Sequence, residues 1–251
     1  MIPRRYNIFT VCNEEYALFL SAFLCSLYDN VDLENVERIY VVDFGIPPLK
    51  KQHYLDTFPL VEFVETQKTV GSQQVHDAGW ATVTYSKVPH LQKICEKDNL
   101  PTLMVDVDSL FVGNIDTEIQ QYGEEYDFVA CRRNREGFST HIGSYFMVLN
   151  PEKATTFLRE WNNRTLLGAE KHKESPALSR LIQDTTEYKI FDEKESKMSN
   201  FTFDPYIPSE AYIVHLKSDA GLETIEKRLT QPKVAGYIHR YVNEINRCAA
   251  L

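Results

Sequence analysis

Short apolar blocks alternate with segments of helical periodicity along the first half of the chain. Tyr6–Cys12 (YNIFTVC) is rich in β-branched and aromatic residues and predicts a buried first strand. Asn13 follows as the expected N-cap, with Glu14 and Glu15 in the first turn, where acidic side chains suit the helix dipole. Tyr16, Leu20, Phe23, Leu24 and Leu27 then recur at helical spacing until Asp29 and Asn30. Val36–Asp43 (VERIYVVD) predicts a second strand, closed by Gly45 and the Pro47-Pro48 pair. A helix is expected over residues 49–58, a short third strand over 60–64, and a polar loop over 66–79. Mixed helical periodicity over 81–97 is stopped by Asn99-Leu100-Pro101. Residues 102–107 (TLMVDV) then predict a fourth strand, buried on both faces.

The second half is more mixed. Residues 128–132 and 144–150 predict strands, 152–167 and 177–184 helices, and 212–216 a late strand. Residues 224–229 and 234–248 are expected as closing helices, and 168–175 as a mobile loop. Strands alternating with helices argue for an α/β domain with a mostly parallel sheet and helices on both faces. There is no internal repeat and no Gly/Ser linker, so residues 1–251 read as one domain with two unequal lobes.

Composition narrows the partners. Twenty-seven Lys and Arg against 36 Asp and Glu leave a net charge of −9, which argues against nucleic acid as the main partner. A small anionic ligand stays open, because a bound metal or a few local cations can meet its charge. Apolar residues are 43% and charged residues 25%, which excludes a disordered chain. Arg4 and Arg5 are followed by no apolar run, so no secretory signal is expected. The most apolar stretch, residues 16–28, is too short to cross a bilayer. Five widely spaced cysteines, with no Cys-x-x-Cys, read as reduced thiols in a cytoplasmic protein.

The sharpest chemical feature is the segment Leu103-Met104-Val105-Asp106-Val107-Asp108-Ser109-Leu110-Phe111. An apolar strand delivers two carboxylates two residues apart, and strand period puts positions i and i+2 on one side. Converging carboxylates repel unless a cation sits between them. The carboxyl edge of an open α/β sheet is also where ligands bind. The pair therefore suits Mn²⁺ or Mg²⁺ bridging a diphosphate, with a solvated turn as the plain alternative. Far downstream, Tyr212-Ile213-Val214-His215-Leu216-Lys217 offers His215 as a third metal ligand and Lys217 as a phosphate cation.

With these segments in view, the chain resembles the GT-A fold glycosyltransferases, the nucleotide-sugar enzymes of the glycogenin-like, Asp-x-Asp type. Thr10-Val11-Cys12-Asn13-Glu14-Glu15-Tyr16 resembles that family's first strand and base-binding turn. Tyr85-Ser86-Lys87 is similar to its Tyr-x-Arg segment, with Lys87 in place of the Arg. The strand bearing Asp106 and Asp108 resembles its metal-binding strand, and Val214-His215-Leu216-Lys217 its late metal-binding His. Residues 138–150 resemble the strand facing the sugar, with His141 and Gly143 at the expected donor-sugar contacts. Glu174-Ser175-Pro176 stands where an Asp-Gln helix start is usual.

The resemblance implies a nucleotide-sugar-binding half over about 1–110, an acceptor half over about 111–220 and C-terminal helices beyond. Thr10, Asn13 and Tyr16 would surround the base, and Asp43 would meet base or ribose. Asp106, Asp108 and His215 would hold Mn²⁺ or Mg²⁺ against both phosphates, with Lys87 and Lys217 adding charge. The implied donor is a nucleotide-diphosphate sugar, a UDP-sugar favoured, and the acceptor a hydroxyl of a glycan, protein or small molecule. An inverting enzyme needs a base near that hydroxyl, and Glu174, Asp184 and His141 are the candidates.

Plainer readings stand beside these. Tyr16 lies on an apolar helical stripe, Asn13 is an N-cap, Asp43 precedes a Gly-Pro turn, and Lys87 and Glu174 can be solvated surface. A nucleotidyltransferase is disfavoured, because no glycine-rich phosphate loop follows the first strand. A phosphatase is disfavoured because two strands precede Asp106. A non-catalytic nucleotide-sugar binder keeps every feature above.

Overall fold

In a computed structural model, the described residues are 5–66, 78–135, 138–167, 174–194, 197–200, 209–216 and 239–251. Strand β1 (Tyr6–Cys12) is buried at every position, as a central strand covered on both faces must be. It pairs in parallel with β2 (Val36–Asp43) on one side and β4 (Thr102–Val105) on the other. Strand β3 (Val61–Glu65) extends the sheet beyond β2, also in parallel. β5 is Ser109–Phe111, β6 Phe128–Arg135, β7 Phe138–Val148 and β8 Ile190–Lys194. The sheet order is β3-β2-β1-β4-β7-β6-β8, and β7 runs against both of its neighbours. The expected mostly parallel α/β sheet is thus present.

Alternation along the strands sorts their side chains into two cores. Ile8, Ile39, Val41, Leu103, Val105, Tyr145 and Met147 face α1 (Ala17–Asn30), α4 (Asp116–Tyr122) and the C-terminal α7 (Val242–Ala249). Phe9, Tyr40, Val42, Met104, Phe146 and Val148 face α3 (Ala78–Asp98), α5 (Pro151–Leu167) and α6 (Glu174–Asp184). The second core is aromatic: Phe146 and Phe157 stack with ring centroids 5.6 Å apart, and Trp161 lies 5.2 Å from Phe146. Emptying such a position costs about 3–5 kcal/mol.

Several boundaries differ from expectation, each for a local reason. Helix α1 begins at Ala17 rather than after Asn13. Asn13 instead accepts the Tyr16 N–H at 3.2 Å, closing a turn that places Glu14 and Glu15 ahead of the helix. Helix α2 is Pro48–Thr57, with its proline at the helix start, where the missing N–H costs nothing. Residues 174 and 175, expected in a loop, open α6. Short elements that the apolar pattern did not announce are β5, α4, β8 and β9 (Met198–Asn200). The expected closing helix at 224–229 and the loop residues 168–173 lie outside the described residues.

The most consequential difference is at the end of β4. That strand stops at Val105, and Asp106 to Asp108 form a turn into β5. Strand β5 belongs to a second sheet, ordered β5-β10-β9, where β10 is Ile213–His215. β10 runs antiparallel to β5, with His215 opposite Ser109. The two aspartates therefore converge through a turn between two sheets, not through strand alternation.

Candidate functional site

The turn is held by its backbone. The Asp106 N–H donates to the Ser144 carbonyl of β7 at 3.0 Å, and the Leu216 N–H donates to the Asp108 carbonyl at 2.7 Å. The first bond ties the turn after β4 to β7, and the second ties it to the residue that follows His215. His215 Nε2 lies 3.1 Å from Asp108 Oδ1 and 3.8 Å from Asp106 Oδ2. One ligand atom from each of Asp106, Asp108 and His215 lies within 4.8 Å of the others. Asp108 and His215 are buried, while the Asp106 side chain is 24% exposed. His215 Nδ1 is buried with no hydrogen-bond partner among the described residues. Two carboxylates and an imidazole fit a divalent ion of the Mn²⁺ or Mg²⁺ type, Mn²⁺ accepting the nitrogen more readily.

Lys87 completes the cluster. It sits on α3, two residues before Pro89, and its side chain is 6% exposed rather than solvated. Its Nζ donates to Asp106 Oδ1 at 2.9 Å and to Glu174 Oε1 at 3.0 Å. Burial by itself would lower the ammonium pKa; the nearby Asp106 and Glu174 charges outweigh it and hold the pKa above the ordinary lysine value. Lys87 is therefore a fixed cation shared by two carboxylates. Glu174, at the first position of α6, reaches the site because Gly143 has no side chain. A Cβ there would stand 2.7 Å from Glu174 Oε1 and 2.8 Å from its Cδ.

The other expected site residues divide. Thr10 and Asn13 are buried at the carboxyl end of β1, and Thr10 Oγ1 and Asn13 Nδ2 have no partner among the described residues. Tyr16 is half-buried against the first core, its ring 5.6 Å from that of Phe19. Asp43 is engaged structurally: Oδ1 accepts the N–H groups of Gly45 and Ile46 at 2.8 and 2.7 Å, and Oδ2 pairs with Lys51 at 2.8 Å. Gly45 has φ 114°, a value that side-chain-bearing residues rarely adopt, so this turn requires its glycine. Lys217 lies outside the described residues.

His141 and Asp184 are not placed as the expectation had them. The His141 side chain is 1% exposed, with Nε2 at 2.7 Å from Asp192 Oδ1 and Nδ1 at 3.2 Å from Ser179 Oγ. Both ring nitrogens face protein, which leaves none for a sugar. Asp184 closes the opposite end of α6 from Glu174, half-exposed and paired with Arg164 at 2.6 Å. Ten residues of helix rise separate them by roughly 15 Å. Of the three candidate bases, only Glu174 stands beside the aspartate pair. Sequence reasoning passed over Ser179 and Asp192; the spacing of Ser175 and Ser179, one helical turn apart, was the available signal.

No protein-family model and no curated protein matches the sequence. Similarity appears in three dimensions. The chain has the fold of the GT-A glycosyltransferases. Over 96% of this chain and 95% of the other, it superposes on the galactosyltransferase LgtC, solved in complex with donor and acceptor sugar analogs, at a TM-score of 0.63 and 11% identity. The glycosyltransferase GlyE of Streptococcus pneumoniae TIGR4 gives a TM-score of 0.63 at 13% identity, over 98% of this chain and 64% of that one. The bifunctional WbbM gives 0.57 at 11% identity, with 96% of this chain matching 52% of the larger protein. At these identities the likeness is one of fold.

Proposed function

We propose that this protein is a metal-dependent glycosyltransferase that moves a sugar from a nucleotide-diphosphate sugar, UDP-linked by preference, to an acceptor hydroxyl. The observation that carries the reading is the convergence of Asp106, Asp108 and His215 at the carboxyl edge of the main sheet. That edge is where open α/β sheets take their ligands. The LgtC structure, which holds donor and acceptor sugar analogs on the same fold, supports it.

In this reading Asp106, Asp108 and His215 hold Mn²⁺ or Mg²⁺. The bound ion supplies Lewis-acid charge where negative charge grows on the departing diphosphate. Lys87 keeps Asp106 oriented and adds fixed positive charge beside it. Thr10 and Asn13, with buried and unpartnered polar atoms, offer hydrogen bonds to the base, and Tyr16 a face to stack on it. Lys217, next in sequence to Leu216, is proposed as a second phosphate cation. Glu174, joined to Asp106 through Lys87, is proposed as the acid that faces the transferred sugar, with Gly143 leaving it room. A cytoplasmic location is supported by the five free cysteines. No helix among the described residues is long and apolar enough to cross a membrane.

Release of nucleoside diphosphate from a panel of nucleotide sugars tests the proposal. Release is expected to need Mn²⁺ or Mg²⁺, to stop with chelator, and to fall roughly 10²–10³-fold in Asp108→Asn with the circular dichroism unchanged. UDP with Mn²⁺ is expected to raise the melting temperature and ATP to leave it unmoved. A wild-type rate in Asp108→Asn defeats the metal assignment.

A further inference from the structure

Helix α6 meets strand β7 at two polar points that have the same repeat. The Gly143 N–H donates to Ser175 Oγ at 2.8 Å, and the His141 N–H donates to Ser179 Oγ at 2.6 Å. Ser175 and Ser179 are four residues apart on the helix, a rise of about 6 Å. Gly143 and His141 are two residues apart on the strand, a rise of roughly 6.6 Å. The two spacings agree, so helix and strand are registered like two teeth in two notches. Gly143 lies in an irregular stretch, where β7 carries residues 142–145 opposite Cys131 alone, between the paired positions Ala130↔Phe146 and Arg132↔His141, and both amides lie beyond the last β4 pair, Val105↔Tyr145. Such bulges bend a strand and release its amides from the ladder.

The Ser179 notch closes as a complete hydrogen-bond circuit. Asp192 Oδ2 is held by Arg132 at 2.9 Å, and its Oδ1 faces His141 Nε2. The His141 hydrogen bond, with help from the Arg132 charge and against desolvation, lowers the Asp192 pKa, so the carboxylate accepts and the Nε2–H of the neutral ring donates. Nδ1 is then the acceptor, and the Ser179 hydroxyl donates to it. The Ser179 oxygen in turn accepts from the His141 N–H, and Thr140 Oγ1, whose hydroxyl donates to the His141 carbonyl, lies 3.0 Å away. A Ser-His-Asp line of this kind is not hydrolytic: Ser179 is buried and its oxygen is engaged by the His141 N–H.

We propose that His141, set by Asp192 and acting through Ser179, is a positioning residue that fixes α6 along β7 and so holds the Glu174 carboxylate against Gly143 and Lys87. One helical turn separates Ser179 from Ser175, and Glu174 precedes Ser175 directly. A slip of the helix by even one residue would carry Glu174 about 1.5 Å along the axis, out of hydrogen-bond reach of Lys87. Trp161, whose Nε1–H donates to the Glu174 carbonyl at 3.0 Å, holds the same end from α5. What Glu174 is held for rests on the glycosyltransferase reading; the holding itself does not.

The test separates the two arms of His141. Asn at 141 keeps an acceptor where Nδ1 stands and loses the Asp192 arm; Gln keeps a donor where Nε2 stands and loses the Ser179 arm. Hydrogen exchange is followed on the ligand-free chain, over the amides of residues 176–182, together with Mn²⁺ affinity. Ser179→Ala and His141→Gln are expected to speed exchange there at least 10-fold and to weaken Mn²⁺ binding about 3–10-fold, as Lys87 turns from Glu174 fully onto Asp106. His141→Asn is expected to stay within about 3-fold of wild type in both. Equal behaviour of the Asn and Gln variants, or unchanged exchange in Ser179→Ala, overturns the proposal. Because the exchange is read without donor or acceptor, a chain that transfers no sugar yet shows this pattern defeats the functional reading alone.

Discussion

Two aspartates stand at the carboxyl ends of β2 and β4, the two parallel strands that flank β1 in one sheet, and are put to opposite uses. Asp43 closes β2 and Asp106 follows β4. Asp43 is turned back into its own loop, where two amides and Lys51 take both oxygens. Asp106 is turned outward, where Lys87 takes one oxygen and the other faces His215. The residue type and the sheet edge are shared, so neither decides the role. The following residues do: Gly45 lets the chain fold back over Asp43, while Val107-Asp108 carries it on into a second sheet. A carboxylate at the carboxyl edge of such a sheet is thus a ligand only where no local amide has already claimed it.

The comparison breaks first at Lys87. Lys87→Ala removes from between Asp106 and Glu174, in a mostly buried space, the ammonium that both are bonded to. The expected loss is about 3 kcal/mol of folding stability, read by urea denaturation. A loss below about 1 kcal/mol would mean that the two acids are not coupled through that ammonium. Gly143→Ala is next. Its methyl group would enter the space of the Glu174 carboxylate, so the acid swings away at an expected cost of about 2 kcal/mol, with transfer reduced well beyond what the stability change accounts for. The smallest effect is expected at Asp43→Asn, which keeps one oxygen for the two turn amides and drops the Lys51 pair. About 1 kcal/mol of stability should go, with the donor KM changed less than 3-fold. A large rise in that KM would return Asp43 to the base-binding role and erase the contrast.

The parallel half of the fold was readable because its strands are covered on both faces and its helices lie between them. Val36–Asp43 falls where the apolar pattern put it, and the ends of α1 and α3 follow their Asp, Asn and Pro signals. Beyond residue 105 the pattern loses force. β5 and β9 are three residues each, too short for a periodicity to register, although the equally short β10 falls within the strand expected at 212–216. The apolar pattern half missed the long β7, because Thr140 and His141 in its outer part are polar yet lie under α6.

The same division runs through the candidate site. The aspartate pair and His215 were legible as ligand types at a strand end, but the geometry joining them was not the one strand period suggested. Lys87 and Glu174 entered as a phosphate cation and a candidate base only through the resemblance, and their spacing alone allowed surface charges, since nothing local tells a lysine that two acids, 19 and 87 residues away, will bury it. His141 was legible as polar in an apolar context, but not as a residue with both nitrogens occupied. By itself, then, the sequence determined the order of the parallel strands' apolar blocks, the acidic surface and the presence of an Asp-x-Asp after a buried strand, because local spacing and composition carry those. Only the tertiary structure decided which charges meet, since ion pairs and metal ligands are set by distances between elements remote along the chain. One glycine, Gly143, makes one of those distances possible by what it lacks.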